Sequence, residues 1–244
     1  VLFRSISLTD VDTNSADYAS FIAAVQAAAD ANGAVSFDGV DTLTFTAAAD
    51  GASMTDLSIS LGATADGLVE ADEGYTIALS GATSSSGDVT GSGAVTTTIS
   101  SADAATWSLS GDVGVAEGSA ASYTVSLSGT FGAGESTSVN ISLTDVDTNS
   151  SDYASFIAAV QAAADANGAV SFDGVDTLTF TAAADGASMT PLAISLGAIS
   201  DSLVEADEDY TIALSGATSS SGDVTGSGAV TTTISSADAA TWSL

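Results

Sequence analysis

The chain is 244 residues long and 45% apolar, with 31 acidic side chains against one basic, a formal charge of −30, no histidine and no cysteine. That length is room for about two domains of ordinary size. The charge balance excludes nucleic acid and anionic membrane surfaces as partners, and the lack of cysteine excludes disulfide stapling and thiol catalysis. A positive mean hydropathy of +0.37 argues against a disordered acidic chain. No apolar run reaches the ~18 residues that a membrane-spanning segment needs.

Taken from the start, Val1-Leu2-Phe3-Arg4-Ser5 carries the one basic residue and matches nothing else in the chain. These five residues read as a non-native scar and are set outside the fold. From Ile6 onward the chain repeats itself: residues 6–109 align without a gap on 141–244, with a period of 135. The copies differ only at 16/151, 56/191, 58/193, 64/199, 65/200, 67/202 and 74/209. That period is too long for a solenoid unit and suits a whole domain strung in an array. Residues 6–104 are therefore expected to be a repeat lacking its first strands, and 105–239 a complete one. Because Thr106-Trp107-Ser108-Leu109 returns at Thr241-Trp242-Ser243-Leu244, residues 240–244 open a further copy. The expected partners are neighbouring repeats, with Ser100 to Ala104 as a short linker.

Within the complete unit, Trp107, Leu109, Val113 and Val115 predict one opening strand that ends at Ala116-Glu117-Gly118. Tyr123, Val125 and Leu127 alternate with Ser122, Thr124 and Ser126, the period-two pattern of a half-buried strand. Val139, Ile141 and Leu143 repeat it after the Gly132-Ala133-Gly134 turn. Further strands are expected at 177–181, at Leu192 to Leu196, at Tyr210 to Leu214 and at Val230 to Ile234. About seven short strands with Gly/Ser turns predict a mainly β chain of tandem antiparallel β-sandwich domains. One segment departs from this. From Ser151 to Asn167, Tyr153, Phe156, Ile157, Val160 and Ala164 form a single apolar stripe, and Gly168 follows as a stop. This amphipathic helix, with its copy at 16–32, serves a partner helix or, more simply, covers its own sheet.

Two acid runs stand out. Asp201-Ser202-Leu203-Val204-Glu205-Ala206-Asp207-Glu208 precedes the strand at Tyr210, and Asp66 to Glu73 precedes its copy at Tyr75. Each places four carboxylates within eight residues, with no Lys or Arg nearby. A solvated acidic loop is one explanation. The other is a cation, and hard oxygen donors in a loop suit Ca²⁺. Asp207 and Asp72 alternate away from their neighbours toward solvent. Asp38, Asp41, Asp173 and Asp176 flank glycines as turn formers.

Several features together resemble the Calx-beta domain, the β-sandwich of sodium/calcium exchangers and of long bacterial surface proteins. They are Val115-Ala116-Glu117-Gly118, the strand Tyr123–Ser128, Ser151-Asp152-Tyr153, the strand Leu178–Phe180, and the stretch from Asp201 to Ser215. The chain departs from that pattern in its inserted helix and in an exit from the last strand reduced to Asp238, or Asp103 in the first copy. The resemblance implies a calcium cluster of Glu117, Asp152, Asp201, Glu205 and Glu208, closed by Asp238 from the linker. In the first copy it implies Asp17, Asp66, Glu70, Glu73 and Asp103. Asp152 can alternatively cap the helix or complement its dipole.

Catalysis is not expected. Without His, Cys or Lys, only a carboxylate pair could act as acid and base, and the acid runs lie among Ala, Ser and Gly rather than sugar-holding aromatics. The resemblance implies a calcium-stiffened structural spacer in a large secreted or cell-surface, adhesin-type bacterial protein. The alternative is a β-sandwich module that binds a glycan or a protein through its loops.

Overall fold

A computed structural model of the chain describes residues 1–243. Leu244, assigned above to a further repeat, lies outside the described residues. The described part is mainly β. In chain order it runs β1 (Leu2–Asp10), α1 (Phe21–Asn32), β2 (Val35–Phe37), β3 (Thr42–Phe45), β4 (Leu68–Val69), β5 (Glu73–Ser84) and β6 (Gly93–Ile99). Then come β7 (Ala104–Gly111), β8 (Gly114–Ala116), β9 (Ala120–Leu127), β10 (Thr130–Phe131), β11 (Ser136–Asp145) and α2 (Phe156–Asn167). The last six are β12 (Val170–Phe172), β13 (Thr177–Thr181), β14 (Leu192–Gly197), β15 (Glu208–Ser219), β16 (Asp223–Gly226) and β17 (Gly228–Ser235).

Two compact units result. The first holds Val1–Asp66 and Asp72–Ser100; the second holds Gly67–Ala71 and everything from Ser101 onward. The second unit is a sandwich-like pair of sheets, one ordered β12-β13-β11-β15-β17-β8 and the other β14-β9-β7-β16. Most pairings are antiparallel, with β8 on β17 and β16 on β7 parallel at the edges. Alternate residues point inward as the sequence pattern requires, so Trp107, Tyr123, Val125, Ile141, Leu178, Leu192 and Ile212 share one core. Polar atoms inside it are matched. Trp107 Nε1 donates to Thr137 Oγ1 at 3.0 Å, and Thr137 Oγ1 donates to the Thr218 carbonyl at 2.9 Å.

The first unit has one five-stranded sheet, β2-β3-β1-β5-β6, the same order as the first five strands of the large sheet in the second unit. Its smaller core gathers Ile6, Val25, Ala29, Val35, Phe37 and Leu43. Residues 57–62, whose copy is β14, form no strand. In the second unit the copy of this stretch, β14, is held by β9 in the register Leu192↔Val125 to Gly197↔Ala120, and the first unit's sheet has no strand in the place of β9.

Four expectations need correction. Val1–Ser5 are not outside the fold: β1 begins at Leu2, and Leu2 to Ser5 pair with Phe45 to Thr42. The strand expected from Trp107 to Val115 is two strands in different sheets, because the chain turns at Asp112, whose carboxylate accepts from Ser122 N–H at 2.8 Å. The helix starts at Phe156 rather than near Ser151. Tyr153 bridges Ala198, Ile199 N–H donates to the Asp152 carbonyl, and Ser155 Oγ caps the helix by accepting from Ala158 N–H. Finally, Gly67–Ala71 does not stay with its own repeat. Leu68–Val69 pairs in parallel with Thr130–Phe131, and Val69 is buried in the second unit's core.

Candidate metal centre

The acid-rich end of the second unit is built by strand pairing. Register sets Glu208, the first residue of β15, opposite Ile234 on β17, and sets Ser235 beside Ala116 of β8. Glu117, just past β8, is pinned where its N–H donates to the Ser235 carbonyl at 3.1 Å. Asp238 follows β17 by three residues, and its N–H donates to Ser236 Oγ at 3.4 Å. Ala237 N–H donates to Glu117 Oε2 at 3.4 Å. Asp201 follows Ala198, which is held by Tyr153 on one side and Ser119 on the other. Leu203 N–H donates to Asp201 Oδ1 at 2.7 Å.

Three chain segments thus bring Glu117, Asp201 and Asp238 together, with one carboxylate oxygen from each within 4.8 Å of the others. Beside them a cleft with room for about 10 Å³ is lined by Glu117, Asp152, Asp201, Glu205 and Glu208, with Ile199 and Ile234 as its apolar wall. That space holds one water-sized occupant and no sugar ring. No Lys or Arg occurs anywhere from residue 5 onward, so nothing basic offsets the charge.

The electrostatics follow from this crowding. Desolvation first, then repulsion from Asp201, Asp152, Glu117 and Asp238, raises the carboxyl of Glu205 above the usual range. Glu208 is raised by desolvation, by the charge of Asp152 and a hydrogen bond to it, and then by Glu205 and Asp147. Asp147 was not singled out in the sequence. Its Oδ1 accepts from Asp209 N–H, a turn contact that no spacing rule identifies.

Of the residues carried over from the resemblance, Glu117, Asp201 and Asp238 form the compact trio, and Asp152, Glu205 and Glu208 line the adjoining cleft. Asp152 does not cap the helix. Its Oδ2 accepts from Asn149 N–H at 2.6 Å, four residues before the helix begins. Asp207 is exposed, and so is Asp72. Asp173 is a turn former, as its Oδ1 accepts from the N–H groups of Val175, Asp176 and Thr177. The first-copy residues Asp17, Asp66, Glu70, Glu73 and Asp103 form no such trio among the described residues. Asp17, Asp66 and Glu73 fall in the first unit, whereas Glu70 and Asp103 fall in the second. Asp17 is buried and accepts from Asn14 Nδ2 at 3.3 Å.

The donor set fits a hard divalent cation.

No protein-family model and no curated sequence matches the chain. Solved structures do match. One is Salmonella alpha-2-macroglobulin reacted with methylamine, at 10% identity over 70% of this chain, with a TM-score of 0.23. The chain spans about a tenth of that protein's length. So slight a superposition carries no functional argument. No helix among the described residues is long and apolar enough to cross a membrane.

Proposed function

We propose that the chain is a calcium-stiffened structural spacer of a larger secreted or cell-surface bacterial protein of adhesin type. Its repeats are Calx-beta-like β-sandwich domains, each with one amphipathic helix, and it is not an enzyme. The observation that carries this reading is the convergence of Glu117, Asp201 and Asp238 from three segments with no basic residue to neutralise them. Calcium bound to the trio joins the segment leaving β17 to the corner after β8 and to the loop before β15. The acid-rich end then becomes a fixed point rather than a self-repelling one. Glu205 and Glu208 add charge that draws the cation in, and Asp152 orients Glu208. Extracellular calcium modules have dissociation constants near ~10⁻⁴–10⁻³ M, so calcium outside a cell fills such a site and cytosolic calcium does not.

Thermal unfolding of the full chain in EDTA, Ca²⁺ or Mg²⁺ tests this, with the emission of the buried Trp107 reporting the second unit. Calcium at a hundred times its dissociation constant stabilises that unit by about 2.7 kcal/mol. Glu117→Gln with Asp201→Asn removes the calcium response, and Asp207→Asn leaves it intact. An equal response to Mg²⁺, or an unchanged response in the double variant, contradicts the reading.

A further inference from the structure

In the second unit the entering strands and the leaving strands lie side by side and run the same way. β7 pairs in parallel with β16, from Asp223↔Ala104 to Gly226↔Trp107, and β8 pairs in parallel with β17, from Thr233↔Gly114 to Ser235↔Ala116. Both pairings keep one offset of 119 residues, although they lie in different sheets. Segments 104–116 and 223–235 therefore change sheets together without losing register. At the change, Thr232 Oγ1 donates to the Asp112 carbonyl at 2.6 Å and Thr233 N–H donates to the Val113 carbonyl at 3.1 Å. Just past β8, Glu117 N–H still reaches the Ser235 carbonyl at 3.1 Å. The other pairings in these two sheets are antiparallel.

Side chains hold this register. Trp107 sits opposite Gly226, where a Cβ would lie 3.0 Å from Trp107 Cβ. Leu109 sits against Gly228, where a Cβ would lie 3.4 Å from Leu109 Cβ. Two apolar side chains thus rest on backbone that carries none. A slip of two residues toward the entry is the shortest that keeps each side chain on its own face. It sets Trp107 against Val224 and pulls the indole N–H away from Thr137.

The direction of load decides what such a pair does. Because the period of 135 makes residue 239 the equivalent of residue 104, both 104 and 235 are the unit's own boundaries. Tension along a chain of repeats pulls the entering segment back from 104 and the leaving segment forward from 235. In a parallel pair these pulls run along the strands in opposite senses, so the evenly spaced bonds are sheared together. In an antiparallel pair the entry and the exit would meet at one end, and the bonds would open one by one.

We infer that segments 104–116 and 223–235 form a shear clamp, and that the second unit bears tension along the chain as well as spanning distance. The load rests on the spacer reading, but the clamp itself does not need calcium. Glu117 and Asp238 follow β8 and β17, so an ion held by the trio would tie the ends of the two clamped strands.

Single-molecule force spectroscopy of the full chain tests this. The chain has no cysteine, so introduced thiols give unique attachment points. Ala102→Cys with Ala239→Cys pulls along the clamp, whereas Ala102→Cys with Asp223→Cys pulls both strands from the same end and peels them. All three positions are exposed. Forced unfolding reports the barrier rather than the equilibrium stability. In EDTA, at one loading rate, the first geometry is expected to need a severalfold higher force than the second. Val115→Pro removes a donor that faces β17 from the edge strand β8, and it lowers the force along the clamp but not the peeling force. A buried Trp107 emission shows that this variant is folded. The clamp is overturned if the two geometries yield at equal force, or if folded Val115→Pro resists the pull along the clamp as well as the parent. If the contrast persists while added Ca²⁺ changes neither force, the clamp stands and the calcium reading falls.

Discussion

Glu205 and Glu208 both take up protons more readily in the folded chain than free glutamates do, because desolvation and neighbouring carboxylates oppose their charge. A carboxyl raised on folding binds more protons in the native state between its ordinary and its raised value. Stability therefore falls as pH rises through that window, and the favourable contribution is fully present only below the ordinary glutamate range. Denaturant midpoints measured against pH in EDTA are expected to drop across this window. Glu205→Gln with Glu208→Gln flattens that part of the profile, and the difference between the two curves isolates these groups from the other acids. A second residue prediction concerns the core. Thr232 Oγ1 donates to the Asp112 carbonyl, so it accepts from Tyr123 OH at 2.5 Å, and Tyr123 OH in turn accepts from Tyr210 OH at 2.7 Å. Burial raises the phenols of both tyrosines. Tyr123→Phe breaks this relay in its middle and leaves the Tyr210 hydroxyl buried without its acceptor, costing about 1–3 kcal/mol in chemical denaturation. A loss below the scatter of the measurement would mean that Thr232, which also hydrogen-bonds Tyr210, or water replaces the missing oxygen.

At the scale of elements, α2 shows how a helix arises in a chain otherwise patterned for strands. Ser155 caps it, alanines dominate it, and Gly168 ends it at φ 74°, with its N–H donating to the Ala164 carbonyl. Phe156, Val160 and Ala164 are buried with β12 and β14, while Gln161 bonds only Asp165 on the outside. Phe156→Ala is expected to lower stability by ~3–5 kcal/mol, and Gln161→Ala by only a few tenths. Equal small losses in calorimetry would mean that the stripe does not pack. The stripe was legible in the sequence at Phe156, Val160 and Ala164 because helical period is a local property. Its first turn was not, since Asp152 and Tyr153 are committed to Ile199 and Ala198, and those contacts span more than forty residues. The same limit explains Trp107 to Val115, where alternation continues through the turn that moves the chain from one sheet to the other. In the site, the run Asp201 to Glu208 was visible as charge. Asp238 entered only through the resemblance, as the residue that closes the cluster from the linker, because only the pairing of β8 with β17 brings the exit of one strand beside Glu117.

At the scale of the whole molecule, the two units make an internal comparison in which sequence is held constant and cover is not. β5 and β15 share the run Tyr-Thr-Ile-Ala-Leu-Ser, at Tyr75–Ser80 and Tyr210–Ser215. Local propensity is therefore the same, and both pair on either side in the same registers. Ile212 and Leu214 are buried under a second sheet, whereas Ile77 and Leu79 face an open cavity and are only half-buried. Each apolar side chain fully buried is worth roughly 1.5–3 kcal/mol, so losing part of that cover at several positions lowers the free energy of opening by several kcal/mol. The amides of Tyr210–Leu214 are accordingly expected to exchange about a hundredfold or more slowly than those of Tyr75–Leu79. Peptides that begin at Glu73 or Glu208 can be told apart by mass, because Gly74 stands in one where Asp209 stands in the other. Equal protection in the two peptides would show that strand pairing alone sets the stability of this sheet, and that its second layer contributes little.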